Sequence, residues 1–271
     1  MCGTAPLLDA EAEPDHSTPL IARRHPMKAT IRYRFNAELH DDESLYERAR
    51  GVVERLADVH LGFSEWWTVP AKARQSPFAL GDREDVLKLI EMQRQEFQRK
   101  YPGVPLSVSN GILLSNARSE RQWRASGSIT IAINPGPGEV RLDIGDLSAA
   151  TETPTELVWS SLRALTEDPR AVFAQTNVKQ SIGKDRKLYS LNCGVFPHRD
   201  FLGWMGYVNQ AVAQSQVPDA ARVERQGQGT LILATEKVDL FDARLIEKMN
   251  KVEISLAELG LLPITDAGIS E

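Results

Sequence analysis

Polar and apolar positions alternate along "TIRYRFNAEL": Ile31, Tyr33 and Phe35 fall to one side, Arg32 and Arg34 to the other. A period of two predicts a half-buried strand. The period then changes. In "DDESLYERARGVVERLADVH", Leu45, Ala49, Val52, Val53 and Leu56 share one helical face. Asp41, Asp42 and Glu43 stand at its start, where the helix dipole favours negative charge. "REDVLKLIEMQRQEFQRKY" predicts a second helix, with Val86, Ile90, Phe97 and Tyr101 on one side and Pro102-Gly103 as its stop. "LSVSNGILLSN" and "GSITIAI" have strand composition, and "NPGPG" (134–138) turns the chain into "EVRLDIG" as a hairpin. "TPTE" predicts a helix start, with Thr153 as N-cap, Pro154 in the first turn and Glu156 closing a capping box. Leu157, Val158, Leu162 and Leu165 line that helix, which ends near Asp168-Pro169.

Further along, "AVFAQTNV" and "GTLILATE" predict strands, and "DLFDARLIEKMN" a short helix capped by Asp242. "DAARVERQGQG" is polar and punctuated by glycine, the composition of a loop. "KVEISLAELGLLP" begins with strand-like alternation at Val252, Ile254 and Leu256 and then turns helical, so both forms stay open. Strands and helices mix without regular β-α-β alternation. The expected class is α+β, a largely antiparallel sheet with helices packed on it, in a single domain over 27–271. Residues 1–26 mix Ala, Glu, Asp, Pro and Thr without periodicity and are expected to be a disordered extension; Met27 reads as a natural beginning.

Composition narrows the function classes. The 271 residues, 42% apolar and 25% charged, suit a globular chain with a real core. The apolar runs are far shorter than the ~20 residues of a membrane span, and "MCGTAPLLDAEAEPDH" lacks the basic start and apolar core of a secretory signal. Cys2 and Cys193 offer no disulfide framework, which fits a reducing cytoplasm. Net charge is -5, and the basic stretches "IARRHPMK" and "GKDRK" are short and separate. No direct contact with nucleic acid is expected from a chain with no evident basic face.

Candidate chemistries are sparse. "GPGEV" resembles a phosphate loop, but it leads into a strand where a phosphate cradle needs a helix N-terminus. "HDD" at 40–42 and "HRD" at 198–200 are weak metal candidates, and no His forms HExxH or finger spacing. No cofactor is expected. Cys193 with His198 and Asp200 is the remaining nucleophile candidate, against the plainer reading of Cys193 as a small buried apolar group. "DRK" (185–187) with Asp143 matches a nuclease core loosely, and a polar turn explains "GKDRK" as well. The pattern favours a binding protein over an enzyme.

Aromatic residues concentrate in irregular places. "FSEWWTV" sets Trp66 beside Trp67, and adjacent strand positions point to opposite faces. One ring can enter the core; the other must be covered by another element or a partner. "FPHRDFLGWMGYVNQ" (196–210) is too irregular for a strand and too rich in glycine for a helix. Arg199, Trp204 and Tyr207 are the residue types that dominate interfaces. With Asp200, Met205, Trp66 and Trp67 they form the candidate partner-binding set. The plainer reading, which composition favours slightly, has Phe201 and Trp204 plugging the core while Met205 and Tyr207 seal a loop.

The run "GTLILATEKVDLFDARLIEKMNKVEISLAELGLLP" (229–263), "FLGWMGYV" (201–208), "IRYRFNAEL" and "SEWW" together resemble the immunity protein 52 family of bacterial polymorphic toxin systems. The resemblance does not reach the first 26 residues, and "SGSITIAINPGPGEV" matches only in layout. It implies an α+β domain that binds and neutralises a cognate toxin encoded by a neighbouring gene. The toxin expected is a nuclease of restriction-endonuclease fold delivered between cells, as by type VI secretion. It implies no catalytic residues and names no contact residues. A non-inhibitory secretion adaptor and an enzyme using Cys193 and His198 are the alternatives.

Overall fold

The turn at Pro135–Gly138 reverses β4 (Ile129–Asn134) into β5 (Glu139–Ile144), as its glycine and proline content predicts. Gly138 takes φ +70°, and a Cβ there would meet the Phe35 carbonyl oxygen at 2.2 Å. The turn therefore needs glycine twice over, for its handedness and for its closeness to the next strand. That strand is β1 (Met27–Phe35), which pairs antiparallel with β5 on one edge and with β6 (Ala171–Ile182) on the other. This computed structural model describes residues 26–37, 41–70, 75–104 and 111–265; the expected 1–26 extension, apart from Pro26, and the whole of "LSVSN" lie outside them.

The class read from the sequence holds: an α+β fold built on one ten-stranded antiparallel sheet. From one edge the order is β2 (Trp67–Thr68), β3 (Ile112–Ser115), β4, β5, β1, β6, β8 (Met205–Val208), β10 (Gly229–Leu233), β9 (Arg222–Gln226). The long β6 pairs through its first half with β8 and through its second half with β7 (Asp185–Leu188).

Ala29, Ile31, Tyr33 and Phe35 are buried on one face of β1, and the helices cover that face. Fully burying each large side chain is worth about 1.5–3 kcal/mol. α1 (Asp42–Ala57) buries every apolar position its periodicity marks, and Asp41 caps it by accepting from the Ser44 amide at 2.7 Å. α2 (Arg83–Lys100) packs against α1 but buries only Val86, Leu89 and Ile90. Its last turns outrun the core, so Phe97 and Tyr101 pack on each other at 5.0 Å with Tyr101 exposed. The six-residue α3 (Glu120–Ala125) buries none of its residues, whereas α4 (Leu147–Ala150) and α5 (Pro154–Thr166) pack on β1. The expected capping box at Thr153 does not form: its side chain caps nothing, and its amide donates to Thr151 Oγ1 at 3.1 Å.

Three local expectations change in the second half. The polar "RVERQ" is strand β9, whose charges pair with α5 through Arg163–Glu224 and Arg222–Glu156. The aromatic run contributes β8, an interior strand between β6 and β10. "KVEISLAE" is helical: after α6 (Tyr189–Asn192), α7 runs from Ala243 to Glu258, with Asp242 as its cap as expected. Every residue of β8 and β10 is buried, so this part of the sheet is covered on both faces. Among the described residues no helix is long and apolar enough to cross a membrane.

The approach to β8 depends on Gly203, at φ +74° with Thr176 O only 2.0 Å from where a Cβ would sit. Gly203→Ala is expected to destabilise the fold by at least about 2 kcal/mol, read as a lower urea midpoint with unchanged slope. An unchanged midpoint would mean that the segment has another conformation available.

Candidate functional site

The even-numbered residues of β1 point away from the helices, and the face they share is open over β4, β5 and β1, whereas on β6 Phe173 and Gln175 are buried and Asn177 bonds Ser190 of α6. Pleat and register set the residues of this face in rows. Thr130, Asp143, Thr30 and Asn177 form one row across β4, β5, β1 and β6. Ala132, Arg141, Arg32 and Gln175 form the next, and Asn134, Glu139, Arg34 and Phe173 the third. Lys28 lies opposite Lys179 beyond the first row, and Arg186 sits opposite Ser181 on the same face. The sequence reading found no evident basic face. The pleat assembles one from residues far apart in the chain, with Glu139, Asp143 and Asp200 as the carboxylates among these cations.

Those carboxylates hold the cations in place. Asp143 accepts from Thr30 Oγ1 at 2.6 Å and Arg141 Nε at 2.9 Å, with Lys28 Nζ at 3.5 Å. Glu139 accepts from Arg32 Nε at 2.5 Å. Arg34 pairs with Asp200 and lies over the Phe173 ring at 5.4 Å. Like charges directly opposite each other, Arg32 on Arg141 and Lys28 on Lys179, destabilise a sheet by roughly 0.2–1 kcal/mol. Half-exposed pairs return at most about 1 kcal/mol each. The array adds little to stability, and its distinctive property is a fixed layout of charge.

At the β2–β3 side the face runs into a groove of about 440 Å³. Ser115 and Thr130 line its floor, with Leu113, Pro77 and Trp123 around it. Trp67 lies on this same face, opposite Ser115, with the Arg118 guanidinium 5.2 Å above its ring. Leu113 is exposed and Trp67 half-buried. The adjacent tryptophans thus divide as strand geometry requires: Trp66 is buried against Phe63, and Trp67 lies on the uncovered side.

The rest of the candidate partner-binding set is interior or structural. Trp204 is 1% exposed, and its indole N–H donates to the Thr235 carbonyl at 2.9 Å. Met205 and Tyr207 belong to buried β8. Trp66 donates its indole N–H to Phe63 O. Asp200 is buried, and Arg199 donates to Leu262 O at 3.2 Å and pairs with Ile264, anchoring the C-terminal segment. Trp66, Asp200, Trp204, Met205 and Tyr207 are buried, and Arg199 is half-buried against the C-terminal segment. Aromatic content alone could not separate them from an interface, because the same residue types serve both.

Cys193 is a buried free thiol whose pKa burial pushes up, the opposite of an activated nucleophile. No hydrogen bond joins it to His198 among the described residues; His198 packs edge-on against Phe196. His40 lies outside the described residues, Asp41 is the α1 cap, and Asp42 pairs with Arg94 at 2.9 Å. Asp143 stands in register with Asn177 through Thr30, whereas Asp185 pairs with Ile182. Five residues of strand, about 16 Å, separate those rows, so the loose nuclease match does not converge. Among the described residues no His, Cys, Asp and Glu cluster of metal-binding size occurs.

Two buried carboxylates escaped the sequence reading. Asp168 holds Arg48 at 3.3 Å and Arg170 at 3.0 Å; burial alone would raise its pKa, but bonds from Arg170 bring it down to about 2. Glu253 of α7 accepts from the Gly203 amide at 2.9 Å, and burial pushes its pKa up. No motif marks either residue, since each meets its partners only through the fold.

No family model and no curated protein matches the chain. Among solved structures, the chain is similar to the Pseudomonas aeruginosa T6SS protein PA0821, with a TM-score of 0.42 and 14% identity. The alignment covers 85% of this chain and 72% of that one.

Trp204→Ala is expected to cost about 3–5 kcal/mol of folding stability, measured by denaturant unfolding; a loss under about 1 kcal/mol would return Trp204 to the surface. Glu253 makes the fold pH-sensitive in a defined direction. Its folded pKa is raised, so its contribution is full below the ordinary value of 4.5 and is lost as pH climbs through the folded pKa. Thermal melts of Glu253→Gln should therefore lose less stability than the wild type on raising the pH. Parallel pH profiles would show that Glu253 titrates normally in the fold.

Proposed function

We propose that this chain is an immunity protein: a non-catalytic binder that neutralises a cognate toxin, a nuclease of restriction-endonuclease fold. The sequence resemblance to the immunity protein 52 family motivates the reading. The observation that carries it is the open, charge-patterned face of β3, β4, β5 and β1, bounded by Lys179 of β6 on one side and by the groove beside Trp67 on the other. Interior parts of the same sheet are covered on both sides, so the bare face is a local feature of the molecule.

The dimensions suit a partner. Four strands at about 4.8 Å and seven residues at about 3.3 Å give a patch of roughly 450 Å². With the groove and rim this approaches the about 800 Å² per side of a standard complex. Docking there would lay a rigid sheet across the toxin and block its substrate path. Trp67 and the arginines are residue types that anchor such contacts, and the fixed charges would set register and association rate. A secretion adaptor could use the same face without inhibiting its cargo; growth rescue separates the two.

Cells expressing the toxin from the neighbouring gene should grow when this chain is co-expressed, and the two proteins should co-purify. Arg32→Glu with Arg141→Glu is expected to abolish rescue, and Trp67→Ala to weaken the complex at least tenfold, with thermal melts near wild type. A complex without rescue would favour the adaptor. Absence of both would sink the reading for that toxin, and rescue unaffected by the substitutions would move the interface elsewhere.

A further inference from the structure

The charge layout of the uncovered face specifies its partner more closely. Resting on the binding role just proposed, we infer that the face docks an acidic segment of a protein partner, with one apolar side chain seated in the groove beside Trp67.

Two exposed cations at one corner of the face, Lys179 and Arg186, have no carboxylate partner among the described residues. Lys179 and Arg186 share one corner with Lys28. Asp143 reaches Lys28 at 3.5 Å while also bonded to Thr30 and Arg141. No carboxylate pairs with Lys179, Arg186 or Arg118 among the described residues. Charged residues on an edge strand also deter sheet-to-sheet aggregation, which accounts for Arg186 on β7. It does not account for Lys179, because that residue lies on β6, between β1 and β7. Opposing lysines repel each other, and a partner's carboxylates would turn that repulsion into attraction.

Two considerations favour a protein over a nucleic acid. The whole chain carries -5, so its long-range field repels a polyanion while a local acidic patch can still meet the basic corner. The groove at the other side of the face is largely apolar, suited to a side chain such as Leu or Phe. From β4, at the groove floor, to β6 is three strand spacings, about 14 Å. An extended segment of about five residues spans that distance.

The test uses the full chain and a fluorescein-labelled decapeptide carrying one Leu and, four residues on, three consecutive Glu. The reversed-order peptide is run beside it, with anisotropy read at low salt. Either order should bind, and tighter than a Lys-for-Glu control. Lys179→Glu with Arg186→Glu should weaken binding at least tenfold, as should replacing the peptide's Leu by Ser or raising the salt. These residues are exposed, so melts of the variant should match the wild type. Peptides that bind no tighter than the Lys control, or equally well to the charge-reversed protein, would overturn the proposal. So would tighter binding of a single-stranded dodecanucleotide, which would make the corner a polyanion site. Failure here leaves the toxin reading standing, because that reading is judged separately by rescue.

Discussion

The pleat of β1 is the constraint on which the rest of the molecule depends. β1 is paired along both edges, so its register is locked from two sides and its side chains alternate strictly between faces. Ile31 and Tyr33 must go under the helices, and Arg32 and Arg34 must go to the other side. A slip of one residue would bury two arginines and expose the core. The same parity passes through the ladders to β5, β4 and β6, and so decides which residues of those strands lie on the side opposite the helices.

The helix layer is tied to the sheet by charge as well as by apolar packing. Asp168, just beyond α5, gathers Arg48 from α1 and Arg170 from the start of β6, beside Tyr33 of β1. Arg48 also stacks over Phe35 at 4.2 Å. A buried ion pair contributes little net stability, but breaking one partner away is costly. Its role is therefore positional: it sets where the end of α5 meets β1. Glu253 plays a comparable part at the other end, where α7 meets the turn at Gly203.

The candidate site was legible only in part. Alternation placed Arg32 and Arg34 opposite the core, and the Trp66-Trp67 pair forced one ring outward; both features are local. The charge array was not legible, because Lys28, Arg141, Lys179 and Arg186 lie on four strands and meet only through register. The interior position of Trp204, Met205 and Tyr207 was equally hard to read, for a related reason. Composition identifies interface-type residues, but whether a strand is interior or at an edge is a property of the sheet order. β8 is interior, so its aromatics are core.

By itself the sequence determined the α+β class, the β4–β5 hairpin, the start of α1 at Asp41 and of α7 at Asp242, and the apolar faces of α1 and α5. Each follows from interactions within a few residues: a hydrophobic period, a cap, a turn that needs glycine. Tertiary structure alone decided that "RVERQ" is a strand, that "KVEISLAE" is a helix, that the aromatic run is interior and that one sheet face carries basic charge. Those outcomes depend on which partners the fold brings together, and neighbouring strands or helices outweigh local propensity once they can bury a side chain or complete a ladder.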